Sequence, residues 1–358
     1  MHASDSFNVA GVQSTLGYVS FIDHAPADKN SPLVDILLSL GAVLHVKTNI
    51  PQTLMVSTDG SDQTSTSMIL TLGNSDGRFR HHIFGRVLNP HKLRLSAGGS
   101  SGGEGAYVAM RGSILGIGTD IGGSIRIPAL CNGIYGFKPS SDRIPYSGQT
   151  SAGRLGSPGF PAAAGPLANS FADLELLMKS VIDARPWDLD AQALAIPWNT
   201  TGVEKKNKLR IGLLKEDLKR PAWPPVRRAL DTAAKKLADA GHEVIELDPN
   251  KPSLDEGLII AYESYALDPT QQAGQFIAAA GELMTESLKR TLFPAVIVPF
   301  MEADKTIDTE DLATQDPEHP YSAEEVHGVP LAIQIVARRY HDERLLEASQ
   351  IIDRCLGT

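Results

Sequence analysis

Two glycine clusters, each holding a serine, constrain this chain more than any other feature. The first is Gly98-Gly99-Ser100-Ser101-Gly102-Gly103 and the second is Ile121-Gly122-Gly123-Ser124, both inside residues 96–141. An apolar run with small residues, 106–115, lies between them. Glycine clusters let the backbone take positive φ and approach a ligand closely. In such turns successive N–H groups can converge on one anionic oxygen. A serine flanked by free amide donors is the minimum equipment for acyl transfer, a nucleophile beside an oxyanion hole.

Composition sets the frame around that stretch. A chain of 358 residues can hold one large or two ordinary domains. With 42% hydrophobic and 21% charged residues it reads as a soluble globular protein. A net charge of −9 disfavours nucleic acid or an anionic membrane as partner, because no basic field exists to release counterions. Two cysteines, Cys131 and Cys355, are too few for a disulfide framework and suit a reducing compartment; both are expected to be buried thiols. The first residues, MHASDSFNVAGVQST, are polar and show no signal peptide. No apolar run reaches the roughly 18 residues of a membrane span. The expected address is cytoplasmic.

In chain order, residues 1–30 read as loop and short extended pieces. Ser31-Pro32 is an N-cap and first-turn pair, with Leu33, Ile36, Leu37 and Leu40 at helical spacing. Gly41 stops that helix and 42–46 is a β-rich run. Residues 57–83, rich in Ser, Thr, Gly and Asp, read as a surface loop or an insertion. Residues 147–166 carry the turn signals of a loop, and a capped helix starts near Asn169. A second helix–strand unit follows, with strands at 209–214 and 242–247 around a helix at 224–240. His242, one residue past the helix stop, is expected to face the helix C-terminus as a dipole partner. Residues 258–292 are helical in pattern, 293–299 is a short buried strand, 301–327 a solvated loop, 329–336 a strand and 342–355 an amphipathic helix. The alternation throughout predicts an α/β fold in one domain over residues 1–358.

Several chemistries are set aside on the residues. Gly98-Gly99-Ser100-Ser101-Gly102 matches G-x-S-x-G formally, but an α/β-hydrolase elbow follows a strongly apolar strand, and the run before it, 91–96, is short and basic. That reading also leaves the second cluster unused. A phosphate loop needs Gly-Lys-Ser/Thr after its glycines, and Glu104 stands where the lysine belongs. Gly116-Ile117-Gly118 followed by Ile121 fails the dinucleotide pattern. The adjacent His81 and His82 point different ways and lack a partner at ligand spacing, so no metal is expected. No cofactor is called for either.

Taken together, GGSSGGEGA, then GIGTDIGGSIRIPA, then GFKPS resemble the amidase signature family, closely over residues 96–141 and more weakly over most of the chain. TNIPQ at 48–52, FGRVLNPHK from Phe84 and GVPLAIQIVARR from Gly328 look like its fungal acetamidase-type (general amidase) branch. The resemblance implies an α/β amidase-signature fold, a mixed central β-sheet wrapped by helices. It implies hydrolysis of the C–N bond of a small amide by a Ser–Ser–Lys relay, with Ser124 as nucleophile and Ser100, on a cis peptide to Gly99, as the bridging serine. The amides of Ile121, Gly122, Gly123 and Ser124 would form the oxyanion hole, and Leu54 matches a substrate-contacting position. Asp120 and Arg126 flank the nucleophile and read as supports for its loop or, equally, as an ordinary buried ion pair. A serine needs a base, and a lysine serves as one only when neutral, which burial can achieve.

The chain departs from the family at that base. The family lysine precedes an aspartate near the N-terminus; here Asp5 is present but Ser4 stands in the lysine position. Lys47, the nearest early lysine, matches a different family lysine and is not promoted to base. The upstream strand and helices of the family are absent, 58–80 looks inserted, and a helical and strand-bearing segment is missing before residue 292. Those departures predict a fold incomplete at the N-terminus and before 292, as in a truncated or mis-spliced product. Two functions are therefore expected of different classes: a working amidase, possible as a homodimer, or an amidase-like chain without activity that binds a small-molecule amide.

Overall fold

In a computed structural model the residues described are 1–54, 80–81, 83–93, 95–151, 161–200, 208–215, 222–248, 270, 272–280, 295–313 and 321–357. A seven-stranded mixed sheet carries the two serine turns. In spatial order its strands are Pro330–Val336 (β11), Ala295–Glu302 (β10), Tyr135–Lys138 (β6), Ala163–Ala168 (β7), Leu115–Asp120 (β5), His2–Ser4 (β1) and Val46–Thr48 (β2). The short β1 lies parallel to both β5 and β2, while β5, β7, β6, β10 and β11 pair antiparallel in succession. Arg80–His81 (β3) and Gly85–Arg86 (β4) make a small antiparallel pair.

Side chains alternate across a strand, and on β5 that alternation sorts the molecule into two layers. Leu115 and Ile117 enter the main core with residues of Pro32–Ser39 (α1), Phe171–Asp183 (α4) and Asp342–Leu356 (α8). Gly116, Gly118 and Asp120 face the other way, where Gly102–Ala109 (α2) and Arg126–Asn132 (α3) lie. The α4 helix follows from its sequence: Ser170 caps it by accepting the Asp173 N–H, and Phe171, Leu174, Leu177, Met178, Val181 and Ile182 are its buried side. Each such side chain contributes about 1.5–3 kcal/mol by leaving water.

The α/β class and the mixed central sheet agree with expectation, and several elements do not. The segment 147–166 holds part of a strand rather than only loop, because β7 starts at Ala163 and runs between β5 and β6. Its small residues make this possible: a Cβ on Gly165 would fall 2.2 Å from the Phe137 carbonyl oxygen, so the strands approach closely only with glycine there. The β-rich run at 42–46 pairs only from Val46 onward. Ser31 does not cap α1 with its side chain; Ser31 Oγ accepts from Asn8 N–H (2.9 Å) and donates to the Gly148 carbonyl (2.8 Å), tying two loops together.

Around Pro224–Asp239 (α5) the expected strands form at Arg210–Leu213 (β8) and Glu243–Glu246 (β9), but as a parallel pair separate from the main sheet. Residues 301–327 are more than solvated loop: Asp308 is buried in an ion pair with Arg228 of α5 (2.6 Å), and Ala323–Val326 (α7) is helical. Gln272–Ala279 (α6) is the described part of the 258–292 pattern. Most of 57–83 and the residues just before 292 lie outside the described residues, as does His82.

Candidate active site

The second serine turn leaves the end of β5 and enters α3. Asp120, the last residue of β5, is fully buried and holds this turn from within. Its Oδ1 accepts the Gly123 N–H (2.7 Å) and its Oδ2 the Ile125 N–H (3.1 Å). Arg126 closes the arrangement with Nε on Oδ2 and Nη2 on Oδ1, both at 3.0 Å, and passes Nη1 to Gln334 Oε1 of β11 at 3.2 Å. Burial pushes the carboxyl up, but the Arg126 charge and hydrogen bonds, the charge of Lys138 and the Gly123 N–H outweigh it and hold Asp120 below the usual carboxylate range. The buried ion pair and the loop support are thus one structure. Gly123 takes φ +123°, which a side chain would resist, and its carbonyl accepts the Ile127 N–H at 2.7 Å.

Of the four amides named from the sequence, Gly123's is therefore committed to Asp120. Those of Ile121, Gly122 and Ser124 have no acceptor among the described residues. Ser124 itself is half-buried.

The first serine turn precedes α2. The Gly99–Ser100 peptide is cis. Ser101 Oγ is bound to the main chain of β5, accepting from Thr119 N–H (3.2 Å) and donating to Thr119 O (3.4 Å). This takes the place of strand pairing beyond the end of β1. The Ser101 N–H donates to the Ser124 carbonyl (3.1 Å), so the two turns are joined one residue from Ser100. Ser100 is buried. Neither the Ser100 nor the Ser124 hydroxyl has a hydrogen-bond partner among the described residues. The arrangement brings together two free hydroxyls and three free amides.

The surroundings of Ser4 are different in character. Ser4 is fully buried at the end of β1 and pairs in register with Thr48. Thr48 Oγ1 donates to Glu104 Oε1 of α2 (2.6 Å), and His2, two residues before Ser4, stands against Glu104 Oε2. Strand alternation thus puts His2, Ser4 and Thr48 on the face that carries α2. Ser4 Oγ has no partner there. Lys47 projects from the opposite face and meets Asp5 Oδ1 at 3.0 Å; burial lowers its amine and Asp5 partly restores it. Lys138, buried in β6, donates to the Pro139 carbonyl (3.0 Å), and burial lowers its amine too.

Leu54 has φ +58° and packs with Leu16, Tyr18, Phe21, Ile50 and Phe276. His242 is not a helix-dipole partner as expected: its ring is buried, with Nδ1 accepting the Leu209 N–H (3.3 Å) and Nε2 beside Cys355 Sγ (3.4 Å). Cys355 is only half-buried, whereas Cys131 is buried and its thiol is pushed up to about 12. Sequence reasoning missed Asn49, which lines a cleft beside Ser100 and whose Oδ1 is buried without a partner, and Gln52, whose side-chain amide is buried without a partner. Their only signal was the TNIPQ motif that ends β2. No group of three or more metal-ligating side chains occurs, and no helix is long and apolar enough to cross a membrane, among the described residues.

Comparison with known proteins identifies the family and the fold. The model of the amidase family matches residues 4–311. An amidase of Gibberella moniliformis is 32% identical over 420 aligned positions, covering 97% of this chain and 73% of that protein. An acetamidase of Emericella nidulans is 29% identical, covering 99% of this chain and 76% of that protein. Both alignments are longer than the chain, so these relatives carry internal segments that it lacks. The solved structure of a fatty acid amide hydrolase superposes with a TM-score of 0.83 at 27% identity, over 100% of this chain and 73% of that one. With the two serine turns joined at one end of a mixed sheet and the family model spanning most of the sequence, the chain belongs to the amidase family.

Proposed function

We propose that the chain hydrolyses the C–N bond of a small carboxylic amide to acid and ammonia through an acyl-enzyme on Ser124. One observation carries this reading: among the described residues the hydroxyls of Ser100 and Ser124 are unpartnered, Ser124 follows the acceptor-free amides of Ile121 and Gly122, and the Ser101 N–H on the Ser124 carbonyl (3.1 Å) ties the two turns together. Ser124 Oγ attacks the carbonyl carbon and its proton passes by way of Ser100 to the nitrogen. The C–N bond breaks, ammonia leaves, and water then attacks the ester and restores the serine. The free amides hold the developing oxyanion, where one lost donor costs roughly 2.7–4 kcal/mol of barrier. Asp120 keeps the turn open by occupying Gly123's amide instead. The hydroxyls are not yet bonded to one another, in keeping with catalytic hydrogen bonds that tighten only when substrate is bound.

Ser4 favours a second reading, in which the chain binds an amide and does not turn it over, because the resemblance puts a lysine where this chain has a serine whose hydroxyl is buried without a partner. Ammonia release from acetamide or benzamide, measured with labelling of Ser124 by an organophosphonate, separates the two. Release and labelling, both abolished by Ser124→Ala, establish the hydrolase. A folded chain that binds amides but neither labels nor releases ammonia establishes the binder. In that second case Ser4→Lys is expected to raise release by roughly 10²–10⁴-fold, the usual worth of a general base.

A further inference from the structure

The run GVPLAIQIVARR from Gly328 forms β11, the edge strand of the sheet. Side chains alternate along it. Leu331 and Ile333 are buried, whereas Ala332 packs on the other face, against the cluster that holds Ile125 and Ala129. Gln334 shares that second face and is exposed. Its Oε1 accepts from Arg126 Nη1 at 3.2 Å, and because arginine only donates, this contact fixes which end of the amide meets the guanidinium. The sheet sets β10, β6 and β7 between β11 and β5, yet Arg126 reaches both: Asp120 at the end of β5 through Nε and Nη2, and Gln334 through Nη1. The two-point grip holds carboxylate and guanidinium in one plane. A bond to Nη1, the nitrogen that Asp120 does not use, keeps the pair from swinging out together. The same carboxylate accepts the Gly123 and Ile125 N–H groups (2.7 and 3.1 Å), so its orientation sets that of the Ser124 turn.

Resting on the amidase reading above, we propose that Gln334 is a positioning residue for the Ser124 turn. It holds Arg126 and, through Asp120, keeps the turn in the conformation that offers the amides of Ile121, Gly122 and Ser124 to the substrate's carbonyl oxygen. Gln334 itself touches neither the substrate nor the reacting atoms. An oxyanion hole works by donors fixed in place before charge develops. Loosening the turn therefore removes an interaction made in the transition state, which lowers kcat and leaves KM where it was.

The test is Gln334→Ala in the full chain, a change at an exposed site that empties no core. It is read by hydrogen exchange of the peptides spanning Gly123 and Ile125, by labelling of Ser124 and by ammonia release from benzamide. Exchange in the turn is expected to quicken about three- to tenfold, as the loss of one such hydrogen bond allows, while α4 exchanges as before. The labelling rate and kcat are expected to fall by about the same factor, with KM unchanged. Gln334→Glu keeps an acceptor for Arg126 Nη1 and is expected to retain the native exchange and rate. Unchanged exchange in Gln334→Ala overturns the proposal and leaves the amidase reading standing. Faster exchange with an undiminished rate in an active chain overturns it too, as does a loss in Gln334→Glu equal to that in Gln334→Ala. A native chain that neither labels nor releases ammonia overturns the amidase reading, and the exchange comparison then decides by itself whether Gln334 holds the turn.

Discussion

The two sides of the candidate site are built to different standards of polar satisfaction. On the Ser124 side, both oxygens of the buried Asp120 carboxylate are answered, by loop amides and by two nitrogens of Arg126. On the side where β1 meets α2, Ser4 Oγ and His2 Nε2 are buried with no hydrogen-bond partner. A satisfied buried network rigidifies and specifies its surroundings, while a partly satisfied one carries a desolvation cost. The contrast teaches where selection for a defined geometry is still visible in this chain. The turn that carries Ser124 is held by a fully answered carboxylate, whereas β1, though paired with a strand on each side, leaves buried polar side-chain atoms unanswered.

Removing Asp120 tests the stronger side and is the largest effect expected. Asp120→Ala leaves Arg126 as a buried charge without its principal partner and frees the Gly123 and Ile125 amides. Breaking a buried pair this way costs about 3–5 kcal/mol, read as a lower denaturant midpoint with an unchanged slope. Acid should act on the same group. Its folded value lies below the ordinary 3.8, so its contribution is present above that pH and is lost as pH falls through the lower folded value. The native chain should therefore lose more stability below about pH 4 than Asp120→Ala does. A similar acid limb in both proteins would show that Asp120 does not anchor the loop.

How much of this was legible follows from whether the cause was local. The serine turns stand out because positive φ at Gly98 and Gly123 calls for glycine beside the serines. Helix α4 is legible for a similar reason, with Ser170 and the spacing of Phe171, Leu174, Leu177 and Met178 written out in order. Strand β7 is not: AAGPLA has little β-propensity, and Pro166 argues against a central strand. Only the tertiary setting, with β5 and β6 pressing from both sides, makes it one. His242 was misread because its partners, Leu209 and Cys355, are remote in sequence. Asn49 escaped because an orphaned acceptor is a property of its surroundings, not of a motif.

A smaller effect probes the packing of the weaker side. Gly116 of β5 pairs in register with His2, and a Cβ there would fall 2.2 Å from Glu104 Oε2 and 2.5 Å from His2 Cε1. Both side chains are fully buried and pressed together, so neither has free space to swing into. Gly116→Ala should cost about 1–3 kcal/mol, as overpacking of a filled interior does. A neutral result in thermal or denaturant unfolding would mean that His2 and Glu104 do not hold this arrangement over β5. The contrast between the two sides would then extend from hydrogen bonding to packing.

The smallest effect has the opposite sign, and it isolates the feature that separates the two sides. Ser4→Ala removes a hydroxyl that is buried and makes no hydrogen bond, and leaves the strand and its register with Thr48 intact. Deleting a satisfied polar group destabilises because its partner is stranded; here no partner exists, and the desolvation penalty of the hydroxyl is simply removed. That penalty is about 1–3 kcal/mol for a fully orphaned group, reduced by the space one oxygen leaves behind, so a gain of up to about 1 kcal/mol is expected. The measurement is a denaturant midpoint that rises with the slope unchanged. A loss of stability would mean that Ser4 is engaged in the folded chain, and the β1–α2 side would then be as well satisfied as the nucleophile turn. A gain, set beside the loss at Asp120, would establish that the buried polar groups are satisfied around the Asp120 carboxylate and unsatisfied around Ser4.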